Sequence, residues 1–396
     1  MNALHKTFSE RELRLRWREF SPKFSKKTAS GIDKVTRDKF KKEIDNNIQE
    51  ISTEVRKGKY KFSPLKPIAI SKSDGGLRLI NVPTIKDRFV QRVVLEFLKN
   101  QYGDKWKMPK SFSSLGKGDE GVHNTLKLIG ETVDTSSHVI RADLSKFFDT
   151  IHRDEMKKIV RKKIRHSSFH SLIYKMIDSE TAIRSLDDQI VLDKSGIKKG
   201  KGLRQGMPIS PVLSYLYLME VDMKFSNSMF RYVDDVLIFS PSKTEAKSKF
   251  NQFKKLVEKR GLRIHPLNAA NEKTVYVRPN EKFEFLGVQI NRTKQGTKFL
   301  IPSKSILKIE NRIKEICICP SDKKKQKNWL FSVMGRPSGI IRDYQTAYGF
   351  CENWPSLETL LRAQQKSMCR KISKELHRLS KTPNSEDLMR VFGVID

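Results

Sequence analysis

Two adjacent aspartates, Asp234 and Asp235, lie at the centre of an otherwise apolar run, residues 230–239 (FRYVDDVLIF). Both halves of this run have the composition of short strands, so the sequence predicts a hairpin with the carboxylates at its tip. Neighbouring carboxylates repel each other unless a cation lies between them, and hard divalent cations bind carboxylate oxygens. The pair is a candidate metal site, while a simple polar turn is the alternative, because Asp is common in turns.

A third acid, Asp143, ends a stretch that reads as a buried strand, residues 137–143 (SHVIRAD). Residues 144–151 (LSKFFDTI) follow as a turn into a helix. A carboxylate at the end of a strand is held on a rigid scaffold, which suits a metal ligand. We interpret the nearby Asp149 and Asp154 as helix-start residues, because anions stabilise the N-terminal end of a helix.

A second hairpin is predicted over residues 66–83, with its turn at residues 74–76 (DGG). Lys72 and Arg78 flank this turn. Their ammonium and guanidinium groups can donate charge-assisted hydrogen bonds to the oxygens of a triphosphate. Solvated surface charge is the alternative interpretation of both residues.

Further elements must position these side chains. Residues 200–211 (GKGLRQGMPISP) form a loop in which small residues let a ligand approach the backbone closely. The loop runs into an apolar helix at 212–223, and another helix is predicted at 244–260. Residues 283–290 (FEFLGVQI) read as a short strand, and the pattern from 302 onward is helical and strongly basic. This order of elements is that of a ferredoxin-like αβ fold.

The whole chain is strongly basic. It has 79 Lys and Arg against 45 Asp and Glu in 396 residues, which gives a net charge of +34. A surplus of this size implies a polyanionic partner, and nucleic acid is the first candidate. An anionic membrane surface is the competitor, but no basic amphipathic anchor is recognisable. A chain of this length is expected to form two or three subdomains.

The cysteines and the N-terminus indicate the compartment. No CxxC pair is present, so we interpret the cysteines as free thiols in a reducing cytosol rather than as zinc ligands. Residues 1–10 lack the apolar core of a signal peptide, and no apolar run is long enough to span a bilayer. We expect a soluble, cytoplasmic protein. The four cysteines are Cys317, Cys319, Cys351 and Cys369.

In this order, the segments resemble the motifs of a reverse transcriptase, specifically of the bacterial type related to group II intron proteins. The resemblance implies an α+β fold: a right-hand polymerase with fingers, a ferredoxin-like palm and a helical thumb. The matching segments are YVDD at 232–235 (the acid pair), ADLSKFFDTI at 142–151 (the first acid), LRQGMPISPVLSYLYL at 203–218 (template and nucleotide), LRLINVPTIKDRFVQ at 77–91 (fingers) and FEFLGVQI at 283–290 (the strand before the thumb).

The resemblance also implies a division of the chain into domains. The N-terminal segment and fingers would occupy residues 1–135. The palm would occupy residues 136–300, with a fingers insertion near 165–205. A basic α-helical thumb, residues 301–396, would follow the backbone of a heteroduplex through phosphate contacts.

A catalytic centre with two Mg²⁺ ions, or Mn²⁺ in their place, is implied by the same resemblance. Asp143 and Asp234 would bridge the ions, Asp235 would complete the ligand set, and the backbone carbonyl of Leu144 would assist. Lys273 would protonate the departing pyrophosphate. In such a centre a primer hydroxyl attacks the α-phosphorus of a dNTP in line, and the ions lower the pKa of the hydroxyl.

The incoming nucleotide has its own set of implied contacts. Lys72 and Arg78 would bind the triphosphate, and Gln205 and Gly206 would contact the nucleotide or the template. Phe148 would exclude a 2′-hydroxyl by its bulk. Packing in the core is the alternative role for this phenylalanine.

Two residues are implied to contact the primer and template. Tyr232 would support the primer end, with simple packing as its alternative, and Arg204 would contact primer or template. The implied partners are an RNA template, the cDNA product and dNTPs.

The resemblance does not decide which biological role the chain has within the family. The sequence after the thumb leaves no room for the DNA-binding and endonuclease domains of mobile intron proteins. This favours a stand-alone enzyme similar to the defence-associated reverse transcriptases, which act with a dedicated noncoding RNA. The alternatives are the polymerase core of an intron-encoded reverse transcriptase or maturase, a polymerase that uses ribonucleotides, and a catalytically silent RNA-binding scaffold.

Overall fold

The structure is a computed structural model that describes residues 2–23, 29–71, 76–106, 111–112, 121–268, 273–317 and 336–380. Contacts divide the chain into two compact units, one formed by residues 1–129 with 138–276 and the other by residues 130–137 with 277–396. The finer division into fingers, palm and thumb stays a prediction. No helix within the described ranges is long and apolar enough to cross a bilayer.

Helices and mainly antiparallel strands alternate along the chain, which confirms the α+β class. The helices are α1 (Ala3–Thr7), α2 (Glu10–Phe20), α3 (Arg37–Lys42), α4 (Ile44–Arg56), α5 (Ile85–Trp106), α6 (Val122–Thr132), α7 (Phe147–Thr150), α8 (Arg153–Lys163), α9 (His170–Ile177), α10 (Leu186–Ser195), α11 (Ser210–Lys224), α12 (Lys243–Lys259), α13 (Ser303–Cys317), α14 (Arg336–Tyr348) and α15 (Trp354–Ser380). The strands are β1 (Lys66–Ser71), β2 (Leu77–Val82), β3 (Ser111–Phe112), β4 (His138–Ser145), β5 (Met229–Tyr232), β6 (Asp235–Ser240), β7 (Arg263–Ile264), β8 (Val275–Val277), β9 (Phe283–Phe285), β10 (Val288–Thr293) and β11 (Gly296–Leu300).

The central sheet of the first unit has the strand order β3-β5-β6-β4-β7, and β8 also pairs with β4. Its strands β4, β5, β6 and β7 follow one another in the chain, with α11 before β5 and α12 between β6 and β7. Two helices inserted in this way between four strands give the ferredoxin-like topology that the sequence predicts.

The central sheet has two chemically different faces, because successive side chains along a strand point to opposite sides. Ile140, Ala142 and Leu144 of β4 lie on one face, in the apolar core that also contains side chains of α8, α11 and α12. Asp143 alternates with them and lies on the other face. The helices therefore back the sheet on the side away from this carboxylate.

The predicted N-terminal hairpin is confirmed. Strands β1 and β2 pair in antiparallel register from Lys66 opposite Val82 to Ser71 opposite Leu77. The turn between them, with Lys72, lies outside the described residues.

The second unit contains an antiparallel sheet, β11-β10-β9, followed in the chain by helices α13 to α15. Here the prediction of one strand over residues 283–290 is wrong. Phe285 pairs directly with Val288, so Leu286 and Gly287 form a turn between β9 and β10, with φ of 50° and 78°. The sequence pattern hides this turn because a leucine rarely adopts the left-handed conformation, and the apolar run continues through it.

Ion pairs and hydrogen bonds of Glu180 hold the Gly- and Pro-rich loop, residues 200–211, in position. The Glu180 carboxylate accepts hydrogen bonds from Nη1 of Arg153 at 2.6 Å, from the N–H of Gly200 at 2.8 Å and from Nη2 of Arg204. The Glu180 backbone carbonyl accepts a hydrogen bond from the N–H of Leu65, directly before β1, at 2.8 Å. Burial raises the pKa of Glu180, but the N–H of Gly200 and the two guanidiniums outweigh it, so the pKa lies below its ordinary value.

We predict that Glu180→Gln lowers stability at neutral pH and makes stability less dependent on acid. A carboxylate with a depressed folded pKa stabilises the fold above its unfolded pKa of about 4.3, and this contribution is lost as the pH falls through the folded pKa. In urea unfolding at several pH values, the two proteins should therefore converge at low pH. Asp343→Asn, at an exposed acid in the middle of α14, is the matched control. Parallel pH profiles for wild type and Glu180→Gln would contradict the prediction.

Candidate active site

The tip that carries the adjacent acids is a two-residue turn. The ladder between β5 and β6 ends with Tyr232 opposite Asp235, so Val233 and Asp234 form the turn. Val233 has a φ of 60°. A β-branched residue in this left-handed region costs about 1–3 kcal/mol, so surrounding contacts must hold the turn in place.

The third acid reaches the same tip through the pairing of β4 with β6. In this antiparallel ladder Asp143 lies directly opposite Asp235. Side chains of directly opposed residues lie on the same face of a sheet, with Cβ atoms about 4.5–5.5 Å apart. The N–H of Leu144 donates to the carbonyl of Asp234 at 3.0 Å, which ties the turn to the end of β4. The structure thus brings together all three acids singled out in the sequence.

The electrostatics of the three acids favour a cation. Burial, together with the charges of Asp234 and Asp143, raises the pKa of Asp235 to about 7. Burial and the charge of Asp143 also raise the pKa of Asp234, while Arg78 and Lys273 act in the opposite direction. Carboxylates that destabilise one another in this way are stabilised by a nearby positive charge.

Two basic side chains lie beside Asp143. The Nζ of Lys273 is 3.9 Å from Oδ2 of Asp143, and the Nε2 of His265 is 3.4 Å from the same oxygen. The N–H of His265 also donates to the Asp143 carbonyl at 3.3 Å. Sequence reasoning singled out Lys273 but missed His265, because β7 is only two residues long and has no recognisable periodicity.

The donor set fits a hard divalent cation. Carboxylate and carbonyl oxygens are the ligands that Mg²⁺ and Mn²⁺ prefer, and Asp143, Asp234 and Asp235 supply carboxylates at one place. Across the described ranges, no three His, Cys, Asp or Glu side chains are already gathered as a metal site. The observation that indicates what these residues would hold is the pairing of Asp143 with Asp235 beside the turn that carries Asp234, and the raised pKa values of Asp234 and Asp235 agree with it.

A buried ion pair between Arg231 and Asp222 lies beside the turn and contacts its backbone. Arg231, with an exposed fraction of 0%, donates through Nε to Oδ1 of Asp222 at 2.8 Å and through Nη2 to Oδ2. Its Nη1 donates to the carbonyl of Val233 at 2.9 Å. Asp222, at the end of α11, is equally buried. Sequence reasoning missed this pair, although a charged residue of opposite sign within each of two neighbouring apolar runs, Asp222 in one and Arg231 in the other, was a usable signal.

Three of the predicted nucleotide contacts line one cavity of about 550 Å³ in the first unit. Phe148, Gln205 and Gly206 are among its lining residues. Gly206 has a φ of 103°, and a Cβ there would lie 2.6 Å from the backbone oxygen of Asn81, so only glycine fits. Phe147 is buried in the core, whereas Phe148 is half-buried, which distinguishes two neighbours that the sequence could not.

The remaining predicted site residues are found in different environments. Arg78 is exposed and close enough to Asp234 to affect its pKa. Tyr232 is half-buried, next to the turn. Arg204 is only 2% exposed, and its guanidinium contacts Glu180, so its contact with primer or template stays a prediction. Lys72 lies outside the described residues.

We predict that Arg231→Met lowers the free energy of unfolding by about 3–5 kcal/mol, because it leaves Asp222 as a buried charge without its partner. The double variant Arg231→Met/Asp222→Leu removes both charges and should regain most of this loss, since an apolar pair often replaces a buried ion pair without cost. Urea unfolding of the three proteins provides the measurement. A single variant as stable as the double variant would show that the pair is not coupled.

Comparison with known proteins finds relatives that match about half of the chain. The chain is similar to the protein YkfC of Escherichia coli, 30% identical over 202 residues that make up 48% of this chain and 49% of the relative. It is also similar to the group II intron-encoded protein LtrA of Lactococcus lactis, 25% identical over 50% of this chain and 31% of the relative. The chain thus spans about half or less of the length of these relatives.

Among solved structures, a telomerase from Candida albicans overlaps 91% of this chain and 66% of its own, with a TM-score of 0.42 and 11% identity. A similarity this low carries no argument about function.

The family comparison is decisive. The profile of the family described as reverse transcriptase (RNA-dependent DNA polymerase) matches residues 70–290, more than half of the chain. This range contains the strands and the turn that carry Asp143, Asp234 and Asp235. The match confirms the predicted family and, with it, the right-hand polymerase fold. The chain belongs to the reverse transcriptase family.

Proposed function

We propose that this chain is an RNA-directed DNA polymerase that copies an RNA template into cDNA. The observation that carries the proposal is the register of the central sheet, which sets Asp143 opposite Asp235 at a turn that also presents Asp234. Carboxylates from distant parts of the chain converge at one end of a ferredoxin-like sheet, and the same unit contains a cavity large enough for a nucleotide. Family membership supports the same activity.

In this mechanism Asp143, Asp234 and Asp235, with the carbonyl of Leu144, would hold two Mg²⁺ ions. When bound, the ions lower the pKa of the primer hydroxyl and stabilise the leaving pyrophosphate. The ammonium of Lys273, 3.9 Å from Asp143, would give a proton to the leaving group.

The chain's own side chains also orient the dNTP. Arg78 and Lys72 bind the triphosphate oxygens through charge-assisted hydrogen bonds. Phe148 packs against the deoxyribose in the cavity, and Gln205 and Gly206 hold the base pair being formed. Position 206 carries no side chain, so the backbone can approach the nucleotide.

The RNA that the enzyme copies defines its setting. We propose a dedicated noncoding RNA and a role in antiphage defence. The intron-associated alternative is favoured by a specific observation, since LtrA is an intron-encoded protein. Sequencing the RNA that co-purifies with the protein, and the cDNA made from it, separates the two. A noncoding RNA encoded beside the protein supports the first setting, and an intron supports the second.

We predict that Asp234→Asn lowers the rate of primer extension by more than about 100-fold. Even residues that only orient metal ligands are worth 10–100-fold, so loss of a ligand charge should cost at least as much. Extension of a DNA primer on RNA with Mg²⁺ is the assay, and RNA binding should be unchanged. Asp154→Asn is the matched control. An active Asp234→Asn enzyme would overturn the metal assignment, and a wild-type protein that binds RNA without extending primers would instead indicate a scaffold.

We predict that Phe148→Ala allows ribonucleotides to be incorporated, because removing the ring leaves space for a 2′-hydroxyl. The ratio of kcat/KM for dNTP and NTP measures the effect and should fall by at least tenfold. Phe147→Leu, at the buried neighbour, is the matched control and should keep the ratio of the wild type. Unchanged selectivity in Phe148→Ala would assign sugar discrimination to another residue.

A further inference from the structure

The helical side of the central sheet carries a concentration of cations. Three helices, α8, α11 and α12, pack on the face of β4 that is opposite to Asp143. At the point where they meet, Nζ of Lys162 is 2.9 Å, Nζ of Lys163 3.2 Å and Nη2 of Arg260 3.0 Å from carboxylate oxygens of Glu220. Three cations thus share one carboxylate, which leaves surplus positive charge at this point.

More basic residues extend this surface along α8 and just beyond it. Lys158, Arg161 and Arg165 are exposed and follow one another at intervals of three and four residues. Lys158 and Arg161 therefore lie on one side of α8, and Arg165 follows shortly after the helix ends at Lys163. Of these, Lys158 lies 3.5 Å from Glu155. We call Arg161, Lys162, Lys163, Arg165 and Arg260 the α8 basic cluster.

The pKa of Glu220 indicates the electrostatic potential at this surface. Its side chain is 38% exposed, so water should largely screen its charge. Hydrogen bonding from Lys162, opposed by partial burial and reinforced by Lys163, nevertheless lowers the pKa of Glu220 to about 2. One carboxylate therefore does not neutralise its surroundings, and a polyanion would find a favourable potential there.

We propose that the α8 basic cluster binds the phosphodiester backbone of an RNA segment that lies outside the primer–template site. The sheet separates the cluster from the three carboxylates, so the template nucleotides at the reaction centre do not also contact the cluster. RNA is the occupant favoured by the proposed function, on which this inference rests, because the template RNA extends beyond the nucleotides at the reaction centre. The cluster then holds a flanking part of the same RNA.

The test uses the full chain with its catalytic site already filled by a primer–template duplex and an incoming dNTP. Binding of a second, labelled polyuridylate is then measured at several salt concentrations. Each phosphate contact to a single strand contributes about 0.7 to the slope of log K against log salt. Lys162→Glu/Lys163→Glu should therefore reduce the slope by about 1.4 and weaken binding. Primer extension on a short saturating duplex should equal that of the wild type, which also shows that the variant is folded.

The matched control is Lys41→Glu/Lys42→Glu, an exposed adjacent pair on α3 with the same change in net charge. If Lys41→Glu/Lys42→Glu and Lys162→Glu/Lys163→Glu weaken polyuridylate binding equally, the loss reflects net charge alone. The α8 basic cluster is then not a binding site. A second variant, Arg161→Glu/Arg165→Glu, leaves Lys162, Lys163 and Arg260 beside Glu220 and should reproduce the loss even if the first variant fails to fold. Unchanged binding in both cluster variants, or tighter binding of polythymidylate than of polyuridylate, would overturn the proposal. If the wild-type protein does not extend the primer at all, the result would instead contradict the proposed polymerase function.

Discussion

The antiparallel pairing of β4 with β6 is the constraint on which the rest of the site depends. A shift of one residue in this pairing would turn Asp143 into the apolar core and bring Leu144 to the outer face, because the side-chain period of a strand is two. The core formed by Ile140, Ala142 and the helices behind them excludes that shift. Hydrophobic packing on one face thus fixes the position of charge on the other.

Charged groups recur inside the first unit, and each is compensated differently. The pair of Arg231 and Asp222 is fully buried and supports the backbone of the turn. Glu180 is compensated by two guanidiniums and an amide and holds the loop. Asp234 and Asp235 lack compensation of this strength, and their pKa values rise. This contrast distinguishes charged groups that are paired within the fold from the two carboxylates that a bound cation would stabilise.

Local patterns predicted much of this molecule, since the acids, the hairpins and the order of helices and strands follow from apolar periodicity and turn chemistry. What the sequence could not supply was which charged groups pair: His265 with the distant Asp143, and Arg231 with Asp222. These depend on register and packing, which no short window contains. The turn at Leu286 was missed for the opposite reason, because there the local pattern misleads.

The contacts of β2 have a consequence for how the cavity admits its occupant. The N–H of Asn81 donates to the carbonyl of Gln205 at 2.7 Å, and the side chain of Thr181 donates to that of Asn81 at 2.7 Å. The backbone of Leu65 also makes hydrogen bonds to Glu180 and Ala182, on either side of Thr181. Together these hydrogen bonds connect the hairpin, residues 180–182 and the loop. Peeling the hairpin away from the loop would break these hydrogen bonds together, which disfavours that way of opening the cavity wall. Entry through the rim of the cavity, or a joint movement of hairpin and loop, keeps them intact.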